Sequence, residues 1–85
     1  MNVRILYFAR LREDMGLAQE MFDLPAAVGD VKSLRAQLVA RGGASAAALG
    51  SGKAIRVSVN QDIAREDTPV KAGDEIAFFP PVTGG

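Results

Sequence analysis

One stretch of this chain has the length and patterning of a full helix, and the rest must be arranged around it. Gly29-Asp30 opens that stretch, and Val31, Leu34 and Leu38 recur at helical spacing while Lys32, Arg35 and Gln37 fall on other faces. Asp30 is placed to cap the helix, because its carboxylate accepts from the free amides of the first turn. Gly42-Gly43 ends it. A single apolar stripe cannot bury itself and needs a sheet to lie on. Strand-like runs flank the helix on both sides. Val3 to Phe8 is β-branched, aromatic and apolar, with Val3, Ile5 and Tyr7 on one face and Arg4, Leu6 and Phe8 on the other. Arg4 marks the second face as the less buried, so Leu6 and Phe8 point toward water or a partner. Ala9 to Met15 reads as a short helix stopped by Gly16. Gln19 to Leu24 follows as an antiparallel partner of the first strand, with Met21 and Phe22 on opposite faces and Pro25 closing it. Ile55 to Val59 alternates cleanly, and Asn60-Gln61 turns the chain into a short return strand, Asp62 to Ala64. Asn tolerates the left-handed backbone of a tight hairpin, whereas Gln61 stands in the usual Gly position. Thr68-Pro69 breaks the chain, Lys71 to Asp74 turns, and Glu75 to Phe79 is the last strand.

Strands around one long helix make an α+β sheet-and-helix sandwich. With 85 residues the chain holds one domain, residues 1–79, followed by an extended tail, residues 80–85. The order and length of the elements resemble the ubiquitin-like β-grasp fold. That resemblance implies a mixed sheet of about five strands packed on one main helix, with a flexible C-terminal tail. A domain this small buries only about 60–65% of its unfolded surface, so a partner that covers leftover apolar surface would help it.

Several chemistries are excluded at the outset. The chain has no Cys and no His, which removes disulfides, thiolate zinc sites, the commonest metal ligand and the Ser-His-Asp and Cys-His machines; no metal site is expected. Ten basic and ten acidic residues balance to zero, against the basic excess of a nucleic-acid binder. No run of about 18 apolar residues exists to span a membrane, and the start, Met1 to Phe8, does not read as a signal peptide. A cytoplasmic location is the default expectation. The Gly/Ala-rich stretch 42–53 invites comparison with a phosphate-cradling loop, but Lys53 is followed by Ala54 rather than Ser or Thr. A connection with a short helix over Ala46 to Leu49 is expected instead.

The tail, Pro80-Pro81-Val82-Thr83-Gly84-Gly85, is the remaining candidate for chemistry. Two prolines stiffen it into an extended form with a reach of roughly 20 Å. Gly84 and Gly85 present no side chain, which suits a backbone threaded through a narrow channel. A frayed, inert end is the alternative. If the tail reacts, the group is the Gly85 α-carboxyl, ionised at neutral pH with a pKa of about 3.5. A carboxylate is a poor electrophile, and nothing in the chain could activate it. A substrate protein presented to an ATP-using enzyme is the consistent picture.

The ending Gly73 to Gly85, above all Phe78-Phe79-Pro80-Pro81-Val82-Thr83-Gly84-Gly85, resembles the small, sulfur-carrier subunits of molybdopterin synthase. Tyr7 to Glu13 is similar to that family's first strand and helix, and Val59-Asn60-Gln61 to its central hairpin; the similarity covers essentially the whole chain. The resemblance implies that an adenylating (E1-like) enzyme uses ATP to form an acyl-adenylate at Gly85, and that sulfur then replaces one carboxyl oxygen to give a thiocarboxylate. The tail would enter the large catalytic subunit, threading Pro80, Pro81, Val82, Thr83 and Gly84, and donate sulfur to cyclic pyranopterin monophosphate. It implies no permanently bound cofactor, catalytic side chains on the large subunit, and two small subunits flanking a dimeric large one. Other acceptors, in thiazole synthesis or tRNA thiolation, and a protein-modifier role remain alternatives. Along the last strand, Ile76 and Phe78 share the core face, so Phe79 joins Phe8 as an exposed apolar pair for a partner to bury. A local bulge would instead bury both.

Overall fold

The main helix sets the fold as expected. A computed structural model describes residues 2–50 and 54–80. Strand β1 (Asn2–Tyr7) leads to the short helix α1 (Arg10–Met15), then β2 (Gln19–Asp23), the main helix α2 (Val31–Ala40), helix α3 (Gly43–Leu49), β3 (Arg56–Val59), β4 (Asp62–Ile63) and β5 (Glu75–Phe79). The strands form one mixed sheet in the order β2-β1-β5-β3-β4. β1 and β5 are parallel, with Ile5 opposite Ile76 and Tyr7 opposite Phe78, while the other pairings are antiparallel.

Local chemistry ends and starts each element. The Asp30 carboxylate accepts from the Ser33 amide at 2.8 Å, and the Ser33 hydroxyl returns a contact to the Asp30 amide at 3.3 Å, closing a capping box. Gly16 takes the left-handed conformation that stops α1. Both residues of the Asn60-Gln61 turn have positive φ, the requirement of a tight two-residue hairpin. Asn60 is tied down further, donating to the Asp74 carboxylate at 3.0 Å and accepting from the Glu75 amide at 3.0 Å.

Val3, Ile5, Tyr7, Ile76 and Phe78 on one sheet face meet Val31, Leu34 and Leu38 of α2, with Leu11, Met15 and Leu49 filling the ends. Tyr7 and Phe78 stack with ring centroids 6.1 Å apart. The stretch after Gly42 departs from expectation. Its helix begins at Gly43 rather than Ala46, because Ala48 and Leu49 are drawn into the core and Ser45 is buried under Arg41. Arg35 then closes that helix, its guanidinium donating to the Leu49 and Gly50 carbonyls at 2.7 and 3.1 Å.

A polar clasp joins β1, β2, α2 and α3. The Tyr7 hydroxyl donates to Glu20 at 2.7 Å, and Arg41 grips the same carboxylate at 2.8 and 3.0 Å while donating to the Ser45 hydroxyl at 2.8 Å. The Arg41 hydrogen bonds hold Glu20 below its ordinary pKa, and burial followed by the Glu20 contact pushes the Tyr7 phenol up. The signs are opposite. The Glu20 contribution to stability is complete above about pH 4.3 and fades as pH falls through the lowered value; the Tyr7 contribution is complete below about pH 10 and fades as pH rises. Tyr7 is the sole tyrosine, so ultraviolet titration reads it alone. The native protein should show almost no tyrosinate near pH 10, where the urea-unfolded chain is half ionised; an unshifted native titration would contradict the clasp.

Between β1 and α1 the chain turns at Ala9, with φ 53° and ψ −130°. Strain there costs a non-glycine residue about 1–3 kcal/mol, against roughly 0.5–1 kcal/mol of added chain entropy for Gly. Ala9→Gly should therefore raise the stability measured by urea unfolding by roughly 1 kcal/mol.

Candidate functional site: a bare sheet face beside the C-terminal strand

Among the described residues, the helices α1, α2 and α3 lie against the core face and none covers the other sheet face. Pairing of Tyr7 with Phe78 in the core puts Phe8 and Phe79, one residue further on each strand, on that opposite face, and the Phe8 amide donates to the Phe78 carbonyl at 3.1 Å. Phe8 is 48% exposed, as its alternation predicts. Phe79 is half-buried, less open than expected, because it lies between neighbouring strands, with Arg56 of β3 paired beside it. No bulge turns either ring into the core.

The structure adds a residue that pattern reading missed. Ser58 pairs with both Ala77 and Ile63, so Ile63 shares the face of Phe79, and it is 68% exposed. Its position in a two-residue strand gives too short an alternation to assign a face; an apolar side chain just past a hairpin turn was the available signal. Leu6 and Ala77 complete an apolar strip from Phe8 to Ile63, and Met21 extends the face along β1 toward β2. Arg4, Glu75 and Arg56 border it, with Arg4 and Glu75 3.9 Å apart. An apolar centre with a charged rim is the anatomy of a protein–protein contact.

The strip ends where the tail begins. Pro80 directly follows Phe79 and is half-buried in a shallow hollow with Arg10 and Leu11 of α1. Pro81, Val82, Thr83, Gly84 and Gly85 lie outside the described residues. Among the described residues, no group of acidic side chains gathers to hold a metal ion, and no helix is long and apolar enough to cross a membrane. The most perturbed titratable cluster, Tyr7–Glu20–Arg41, is fully hydrogen-bonded and braces the fold rather than opening onto the bare face.

The architecture is that of a ubiquitin-like β-grasp domain, with its docking-type face placed at the root of the C-terminal segment. The chain belongs to the ThiS family, which it matches over residues 5–85. It is 40% identical over 83 residues to the molybdopterin synthase sulfur carrier subunit of Escherichia coli K12, covering 98% of this chain and 99% of that one. Its fold is similar to a chain in the complex of subunits 1 and 2 of the molybdopterin-converting factor from Helicobacter pylori 26695, with TM-score 0.66, 28% identity and full coverage of both chains. It is also similar to SAMP1 from Haloferax volcanii, with TM-score 0.73, 28% identity and full coverage of both chains.

Proposed function

We propose that this protein is the sulfur-carrier subunit of a molybdopterin synthase, acting in the cytoplasm with sulfur held on the Gly85 carboxyl carbon. The observation that carries the reading is adjacency: the Phe8–Phe79–Ile63 strip ends at Pro80, so a partner that buries the strip receives the tail beside it. The similarity to sulfur carrier subunits over nearly the whole chain supports the same reading. An E1-like enzyme transfers AMP from ATP to the Gly85 carboxylate, with pyrophosphate leaving. A sulfide-level donor then displaces AMP and leaves a thiocarboxylate. In the large subunit, which supplies the catalytic side chains, the sulfur passes to cyclic pyranopterin monophosphate. Intact mass of the chain isolated from cells tests this, the expected result being a sulfur-for-oxygen change confined to Gly85. A protein-modifier role has the likeness to SAMP1 in its favour; a ladder of high-mass conjugates in cells, in place of the thiocarboxylate, would select it.

The strip makes its own prediction. Burying a Phe side chain contributes about 1.5–3 kcal/mol. Phe79 is already half-buried, so Phe79→Ala should weaken binding to the large subunit by up to roughly tenfold, since about 1.4 kcal/mol corresponds to tenfold at 25 °C. Phe8→Ala and Ile63→Ala should act in the same direction. Calorimetric titration would show it, and a collapse of melting temperature with unchanged affinity would place Phe79 in the core instead.

A further inference from the structure

A second concave feature lies on the other side of β3. The start of α2, the start of β3 and the chain following β4 enclose an open cleft of about 290 Å³. Its floor is apolar, made by Val31, Ile55, Ala64 and Phe78. Its border is basic: Lys32 and Arg35 stand one turn apart on α2, Arg65 lies across from them, and Glu66 is the carboxylate among them. In a chain with equal numbers of basic and acidic residues, this is a local concentration of positive charge. Arg35 donates to the Leu49 and Gly50 carbonyls, which holds its guanidinium at the border of the cleft. Among the described residues the salt bridges use Arg4, Arg10 and Arg41, not Lys32 or Arg65.

The backbone adds a direction. The Ala64 amide donates to the Val57 carbonyl at 2.9 Å, and beyond that bond the chain leaves the sheet. Among the described residues, no strand lies beside the chain ahead of Val57 on that side. Ile55 stands just ahead of β3 and lines the cleft. An open edge beside an apolar cleft suits an extended segment, whose backbone pairs with the edge while alternate side chains enter the cleft. The basic border selects a segment with carboxylates on either side of an apolar residue.

We propose that this cleft docks an extended acidic segment of a partner protein, one apolar side chain seated over Ile55 and Phe78 and flanking carboxylates against Lys32 and Arg65. Arg56 and Ile63 line the cleft and also belong to the bare face. A partner covering that face therefore reaches the cleft without a gap. In that respect the inference builds on the docking role argued above, but its test needs no large subunit, so the two fail separately.

The probe is an acetylated, amidated hexapeptide with Leu-Val at its centre and two acidic residues on each side, titrated into isotope-labelled full-length protein and followed by amide NMR. The expected result is saturable shifts centred on Lys32, Ile55, Ala64 and Arg65. A control peptide with Gln and Asn in place of the acids should bind at least tenfold more weakly at 10 mM salt. That advantage should shrink at 150 mM salt, as the screening length falls from about 30 to about 8 Å. The double variant K32E/R65E should lose tenfold or more in affinity with an otherwise native spectrum, and K32Q/R65Q should lose less but in the same direction. Phe8→Ala should leave peptide binding unchanged. Absence of saturable binding at millimolar peptide, equal binding of the control, shifts centred on Phe8 and Phe79, or competition by inorganic pyrophosphate at the same concentration as the peptide would each overturn the proposal.

Discussion

Removal of Gly85 should abolish sulfur transfer and leave thermal unfolding unchanged. The two halves of that expectation have separate physical grounds. The core residues named above end at Phe78 and the last strand ends at Phe79, so the deletion removes none of the side chains that hold the sheet to α2. The bare face with Phe8, Ile63 and Phe79 also survives, and binding to the large subunit should persist. The chemistry has no substitute. The chain has neither Cys nor His, so no side chain can take over as sulfur nucleophile. The new terminal carboxyl, on Gly84, would stop one residue short, at most about 3.6 Å from the reacting position. Misplacement by about 1 Å can already cost on the order of 10²-fold in rate. Molybdopterin formation by the truncated protein with its large subunit, at a normal rate, would end the terminal-carboxyl mechanism. Loss of fold in the truncated chain would instead show that the tail contributes to the core.

Gly84→Val should be nearly as severe, roughly a 10²-fold loss or more in adenylation, sulfur transfer or both. The same backbone must deliver its carboxyl first to the α-phosphate of ATP and later to the pterin substrate. On the mechanism proposed above, each delivery would thread an extended chain through a protein channel, where a branched Cβ would displace the reacting carbon. Affinity of the globular body for the large subunit should be near normal, because the apolar strip is untouched. The two deliveries separate experimentally. A chemically made thiocarboxylate of the variant, supplied to the large subunit, bypasses adenylation. Recovery of the rate locates the obstruction in the activating enzyme, and continued failure locates it in the synthase. Wild-type rates in both assays would remove access as the reason for the double glycine.

Much of the fold is legible along the chain because its signals are local. Val3, Ile5 and Tyr7 alternate with Arg4, Leu6 and Phe8, and a period of two assigns their faces without knowledge of any neighbour. Val31, Leu34 and Leu38 do the same at helical spacing, and Asp30 caps through an amide three residues away. The exposed Phe8 followed from this arithmetic alone. For the tail, the lack of Cys and His left the Gly85 carboxyl as the candidate reacting group beside an inert end, and its sulfur chemistry is what the resemblance to sulfur-carrier subunits implies.

What the sequence by itself determined was therefore the set of elements, their inward faces and the candidate strip ends at Phe8 and Phe79. The β1–β2 and β3–β4 pairings were expected from the sequence; only the tertiary structure decided where the last strand lies. β5 enters between β1 and β3, and that insertion brings Phe8 beside Phe79 and carries Ile63 onto the same face. It also half-buries Phe79 and covers Ala77 despite its outward register. The Tyr7–Glu20–Arg41–Ser45 clasp gathers four elements, and the basic cleft joins α2 to residues beyond β4. Nothing near these residues in sequence announces such meetings. The physical reason is range: alternation and capping are set by neighbours a few residues apart, whereas burial across a sheet depends on which distant strand fills the adjoining place. That choice is made by the joint burial of the Ile5, Ile76 and Leu34 side chains in one core, a property of the assembled sheet and helix rather than of any segment.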